Sequence, residues 1–334
     1  MNKKNKFSWA IIKNKIVKGF FAGIEDASRK FTLSIIGALL IATITFFATN
    51  AEKMIFANLF SNNVEDIYLS INEAKEGEII EISNGIFESA HFFIDKNITL
   101  KGSRNTVFLG KEKEPIIEIA PDVEVTIENI SFMSAQIGIL AKEGSLVEVK
   151  NCFFSENEVG LEVKHSFSVI IENNLFDQLS SSAISIAGSK GIIKNNTIGR
   201  SRIGIALENS SFQIHHNLIK NSTDHGLYLF SDSSVIFKNI FKRVFYGAGI
   251  NFRKGKHQTE IKENIFSSMK IGLYSIADSN TKNIKASFNT FSKISENVIL
   301  LTDIAPNNFF ANKKDDFWDE SIENEENIGY NNQF

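Results

Sequence analysis

The sequence predicts an all-β chain wound into a parallel solenoid of about 22 residues per coil. Three observations carry that expectation. A large apolar residue returns at Phe132, Phe154, Phe176, Ile198, Ile219, Phe241, Phe266 and Phe291, in steps of 22, 22, 22, 21, 22, 25 and 25 residues. Just before it, apolar residues alternate with others, as in Val147/Val149 and Val169/Ile171, the period of two that a strand requires. Five to seven residues after it comes a second short run, such as IGIL at 137, VGLEV at 159, IGIAL at 203 and HGLYL at 225. A unit this short cannot bury its own apolar face and must stack on its neighbours. Each unit continues in one direction, so the strands cannot close as hairpins; the chain must coil.

From the N-terminus, residues 1–30 form a basic segment, with Lys3, Lys4, Lys6, Lys13, Lys15, Lys18, Arg29 and Lys30 against Glu25 and Asp26. Residues 31–48 (FTLSIIGALLIATITFFA) carry no charge over 18 positions, enough for a transmembrane or signal helix. An uncleaved anchor, a signal cut near Ala48 or Ala51, and a buried helix are all compatible with it; the first two place the body outside the cytoplasm, periplasmic or extracellular. Residues 49–66 read as a linker. IYLSINEA at 67–74 has helical spacing and ends near Gly77, a cap for the solenoid's open edge. Short alternating runs at Ile80/Ile82 and Ile98/Leu100 then read as strands with tight turns. The solenoid is expected over 67–306, and 307–334 as a C-terminal cap with an acidic tail.

Stacked coils lie roughly 4.8 Å apart, so like residues fall on like residues. Asn174, Asn196, Asn217, Asn264 and Asn289 recur at one turn, where stacked amides can bond along the axis. Glycines 138, 160, 204, 226, 249 and 272 recur at what reads as a second turn, which predicts either positive φ or a tight corner there. Cys152 aligns with Leu175 and Thr197 and reads as ordinary packing. A single cysteine excludes an internal disulfide framework. With a net charge of −3 and no basic stripe, nothing points to nucleic acid.

IYLSINEAKEGEIIEISNGIFESAHFFIDKNITLKG, followed by repeats of V-x-I-x-N-N-x-F and x-G-I-x-L, resembles the right-handed parallel β-helix (pectate-lyase-like) superfamily, in its carbohydrate-binding and sugar-hydrolase type. The likeness spans about Ile67 to Ala305. It implies a right-handed coil, and a superfamily containing polysaccharide lyases, glycosidases, uronate epimerases, periplasmic copper-site assembly proteins and members without known catalysis. Fold alone does not choose among them. Neither the aspartate cluster of calcium-dependent pectate lyases nor the Asp-Pro-His-Asp motif of alginate epimerases is present.

Parity along the Gly-containing strand predicts an outward column of Leu140, Glu162, Ser185, Ala206, Tyr228, Asn251 and Tyr274, preceded at the turn by Glu158, Arg202, Asp224 and Lys270. Tyr228 and Tyr274 fall two coils apart, roughly 10 Å, a spacing suited to stacking sugar faces. The candidate catalytic set is Arg202, Asp224, His225 and Tyr228; Glu162, Asn251, Tyr274 and Lys270 are candidate substrate-binding residues. Arg202 would neutralise a uronate carboxylate, His225 would abstract the C5 proton, and Tyr228 would protonate the opposite face or the leaving oxygen. Hydrolysis needs two flanking carboxylates, and only Asp224 offers itself. The plainer readings are a polar variant at a turn for His225, which replaces Ile137, Val159 and Ile203, and surface aromatics for the two tyrosines. His215, on a charged column with Glu128, Lys150, Glu172, Lys194 and Lys238, is adjacent to His216; neighbours on a strand point apart, so a metal site with His225 would gather two ligands at most. No cofactor or metal is implied. The expected function is binding, with lyase- or epimerase-type modification, of an envelope or extracellular polysaccharide; the alternative is a non-catalytic assembly or docking solenoid.

Overall fold

The computed structural model describes residues 63–111, 113–252, 258–277, 284–301, 309–310 and 313–314. The expected helix at 31–48 and the basic segment before it lie outside the described residues, as does most of the linker and of the C-terminal cap. Among the described residues no helix is long and apolar enough to cross a membrane.

The first described element is the helix Val64–Glu73, starting earlier than the 67–74 run. Asn63 caps it, its Oδ1 accepting from the Glu65 N–H at 3.1 Å, and Ile67 and Ile71 are buried beneath it. The rest is a right-handed parallel β-solenoid. One coil comprises Leu146–Lys150, Phe153–Ser155 and Val159–Lys164; its equivalents stack into sheets 1, 2 and 3, joined where long strands such as Ile265–Ala277 round a corner.

Sheet 2 carries the recurring phenylalanines. Phe154 and Phe176 are in register with rings 4.7 Å apart and 6° from parallel, and both are fully buried. Phe241 and Phe266 stack at 4.8 Å. Offset aromatic stacks add to the area they bury. The column also runs further toward the N-terminus than the repeat showed, through Phe108 to Phe87.

Most corners turn on one left-handed residue. Between sheets 1 and 2 these are Asn129, Asn151, Asn173, Asn195, His216, Lys238, Glu263 and Phe288, with φ between 55° and 60°. From Asn173 onward the next residue builds the asparagine ladder: Asn174, Asn196, Asn217, Asn239 and Asn264 each donate side chain to side chain to the following member, the last of them to Asn289, at 2.9–3.1 Å. Each acceptor oxygen also takes the preceding coil's corner N–H, as Asn217 Oδ1 takes Asn196 N at 2.9 Å. Asn239, which the sequence reading passed over, is a full member. Buried amides saturated in this way offset the cost of the left-handed corners.

Three alignments change. Cys152 occupies the ladder's place, not that of Leu175: its N–H donates to Asn174 Oδ1 at 2.8 Å, and burial pushes its thiol up to about 12. The recurring glycines of sheet 3 do not take positive φ. A Cβ on Gly160 would stand 2.6 Å from Ala183 O and 2.8 Å from Phe176 Cδ1, so glycine there clears space for the phenylalanine stack. In the coil at 246–252 that place belongs to Gly247, whose Cβ would stand 2.7 Å from Phe266 Cδ1, and not to Gly249.

The outer face of sheet 1 holds an alternating charge column, Glu81, Lys101, Glu128, Lys150, Glu172 and Lys194, each in register with the next. It continues through His215 to Phe237, not Lys238, because Lys238 is the corner residue.

Candidate functional site

Sheet 3 presents the candidate residues at successive coils. Arg202 lies in Ser201–Glu208, His225 and Tyr228 in His225–Phe230, Tyr246 and Gly249 in Tyr246–Phe252, and Tyr274 in Ile265–Ala277. Parallel register sets Ile203, His225, Tyr246 and Ile271 in one column, and Ala206, Tyr228, Gly249 and Tyr274 in the next.

Asn251 therefore leaves the predicted column. It pairs with Phe230, two positions along the strand from Tyr228. The sequence YGAGINF holds two glycines, and aligning the later one shifts everything after it by two residues. Gly249 takes Asn251's expected place, and this changes the site. With no side chain at 249, the Tyr274 ring folds across that position and its hydroxyl hydrogen-bonds His225 Nε2.

His225 sits inside a cage of three tyrosines, its ring centroid 5.0 Å from Tyr228, 5.0 Å from Tyr246 and 5.5 Å from Tyr274. Its side chain is only 10% exposed. Asp224 Oδ1 approaches Nδ1 to 3.0 Å, off the line of the N–H, so Nδ1 lacks a well-directed hydrogen bond. Asp224 Oδ2 in turn faces Arg202 Nη1 at 3.6 Å.

Burial lowers the His225 pKa below 6.5; the Asp224 carboxylate opposes this and Arg202 adds to it. Burial likewise raises the Tyr274 hydroxyl, helped by Tyr228, Asp224 and Tyr246. At neutral pH the pair is thus a protonated phenol donating to a neutral imidazole. Partner chemistry assigns the tautomer: Nε2 accepts from Tyr274, leaving the Nδ1 proton toward the Asp224 carboxylate. Arg202, Asp224, His225 and Tyr274 form one contiguous polar chain.

The other predicted residues fall outside that chain. Lys270 pairs with Glu296 at 3.1 Å and lies over the Phe245 ring at 5.1 Å. Glu162 stands three coils before Tyr228 and pairs with Lys164 at 2.7 Å. It closes the far end of an open trough of about 340 Å³ that runs over the small residues Ser185, Ala187 and Ala206 to Tyr228 and Phe230, with Glu208 on its wall. Tyr246 and Gly249 are the members that sequence reasoning missed; alignment on Gly247 places Tyr246 in the column of His225.

His215 and His216 do converge, Nδ1 to Nδ1 at 2.9 Å. Strict alternation fails because His216 is a left-handed corner residue. They lie where sheet 1 turns toward sheet 2, whereas His225 is on sheet 3. Among the described residues no three His, Cys, Asp or Glu side chains are grouped to hold a metal ion.

The chain matches the family described as "Right handed beta helix region" over residues 85–241 and 180–315. No curated protein matches it in sequence. Among solved structures it is similar to the periplasmic alginate epimerase AlgG, at 13% identity and a TM-score of 0.51, covering 76% of this chain and 83% of that one. A double mutant of AlgG gives the same identity and coverage with a TM-score of 0.50. An alginate lyase from Paenibacillus sp. str. FPU-7 aligns at 11% identity over 72% of this chain and 97% of that one, with a TM-score of 0.46. At these identities the likeness is one of fold.

Proposed function

The chain belongs to the right-handed β-helix family, and from that premise we propose that it binds and modifies a polysaccharide by proton transfer at a carboxylate-bearing sugar. The observation that carries this reading is the chain Asp224, His225, Tyr274, in which a buried neutral imidazole holds a half-buried phenol.

In the proposed step the sugar's C5–H bond breaks and its proton passes to Tyr274 Oη, while that phenol's own proton moves to His225 Nε2. The electron pair stays on the sugar, delocalised into its carboxylate. Arg202, with half its side chain in solvent, neutralises that carboxylate, and Asp224 stabilises the imidazolium that forms. In an epimerase Tyr228 returns a proton to C5 from the opposite face; in a lyase the electron pair forms the C4–C5 double bond as the C4–O bond breaks, and Tyr228 protonates the departing oxygen, after which exchange with water reprotonates Tyr228 and deprotonates His225. Compared with His225 acting directly, Tyr274 becomes the group in contact with substrate, because the cage leaves the imidazole little surface. AlgG, a periplasmic epimerase of alginate by its name, supports both this class of chemistry and a body exported from the cytoplasm; the apolar segment 31–48 would supply the signal or anchor.

The test is incubation of the full chain with alginate, polygalacturonate and mixed uronate–hexosamine polymers, following unsaturated ends and exchange of solvent deuterium into C5. Turnover that is lost in Tyr274→Phe and His225→Gln is expected. Absence of turnover on every polymer, with no binding on a glycan array, would defeat this reading in favour of a docking solenoid.

A further inference from the structure

The trough beside Tyr228 carries charge of the wrong sign for a polyuronate. Sugars in an extended chain repeat at about the coil spacing of roughly 4.8 Å, so a polyuronate would bring a carboxylate to nearly every coil and need a cation at each. Of the cations near the site, Lys164 pairs with Glu162 and Lys270 pairs with Glu296, which leaves Arg202, half in solvent and 3.6 Å from Asp224, to meet a single carboxylate. Glu208 is different. It is exposed on the trough wall, and among the described residues its carboxylate meets only a 3.5 Å approach from the neutral Asn209 amide. It stands in register between Ala187 and Phe230, and Ala206 beside it stands in register with Tyr228.

A carboxylate that meets no cation among the described residues, set over an alanine floor and next to two aromatic rings, suits an ammonium group. The carboxylate supplies the charge-assisted hydrogen bond, and the neighbouring rings favour a cation at their faces. The same carboxylate repels a uronate. We propose that the trough takes a sugar bearing a free amine, its ammonium on Glu208, so that the polymer is a mixed one carrying amines as well as the carboxylate accepted at Arg202, which stands at the other end of the same strand. This rests on the polysaccharide reading above and narrows its substrate class.

Binding of the full chain to three hexasaccharides tests it by calorimetry: glucosamine hexamer, its fully N-acetylated counterpart, and alginate hexamer. The glucosamine hexamer should bind about tenfold more tightly than the acetylated one, a difference worth about 1.4 kcal/mol. Glu208→Gln should bring the two within about twofold, and Glu208→Lys should reverse the preference toward alginate. Alginate binding as tightly as glucosamine to the wild type, or a preference that survives Glu208→Gln, would overturn the inference and leave polysaccharide recognition standing. Binding of none of the three would count against both.

Discussion

Gly249 lies directly under the ring of Tyr274: a Cβ at 249 would stand 2.7 Å from both Cζ and Oη of the tyrosine. Tyr274 can reach His225 across two coils only because the intervening coil offers no side chain there. The first prediction concerns that vacancy. Gly249→Ala should push Tyr274 off His225, at a cost of about 1–3 kcal/mol for overpacking, and turnover should fall about a hundredfold. Nitrogen NMR of the His225 ring reports the loss of the Nε2 bond independently of activity. An unchanged ring spectrum would show that the vacancy is not what positions Tyr274.

His225 should also leave a mark on the pH dependence of stability. Its pKa lies below the ordinary 6.5 because burial disfavours the charged ring. Between that depressed value and 6.5 the unfolded chain binds a proton that the native chain does not, so this group's contribution is full above pH 6.5 and declines as pH falls. Thermal melts at pH 7.5 and pH 5 should show a larger drop for the wild type than for His225→Gln. Equal drops would mean that the imidazole titrates normally.

Asp232 should act with the opposite sign. It is fully buried, Ser234 donates to its Oδ1, and among the described residues Oδ2 has no hydrogen-bond partner. Burial raises its pKa from 3.8 to about 7, against the Ser234 bond. The native state therefore holds a proton that the unfolded chain releases, and stability is lost as pH climbs from about 4 through 7. Asp232→Asn should abolish that loss, gaining on the order of 3 kcal/mol at pH 8 relative to pH 5. Urea midpoints at the two pH values measure it, and parallel losses in wild type and variant would refute it.

The asparagine ladder predicts a pair of opposite effects. Asn217→Ala removes the acceptor for the N–H and side-chain amide of Asn196 and the donor to Ile193 O, and should cost about 2–4 kcal/mol, since the orphaned groups are buried. Cys152→Asn extends the ladder by one coil, letting a side-chain amide reach Ile127 O where Cys152 Sγ now stands at 3.7 Å. It should gain about 1 kcal/mol. A destabilised Cys152→Asn would indicate that the corner there has no room for an amide.

Much of the solenoid was legible in the residues themselves. Phe154 over Phe176 follows from a 22-residue period and a strand rise that permits no other stacking. The ladder was legible too, because identical amides at one corner have only each other and the backbone to bond. The glycine column was visible, but its cause was misread: recurrence alone does not separate a backbone that needs positive φ from one that must admit a neighbouring ring.

The sequence by itself determined the coil, its period and which side chains pile up inside, since these depend on spacing along the chain and on burial, both written locally in each repeat. It also brought Arg202, Asp224, His225 and Tyr228 to adjacent coils. Only the tertiary structure decided that Gly247 carries the register, that Gly249 is the open position and that Tyr274 closes over it onto His225. Those facts turn on a two-residue choice between neighbouring glycines, and on a contact between residues 49 apart in the chain. A repeat pattern tolerates either choice; the phenylalanine stack behind the sheet has room for one.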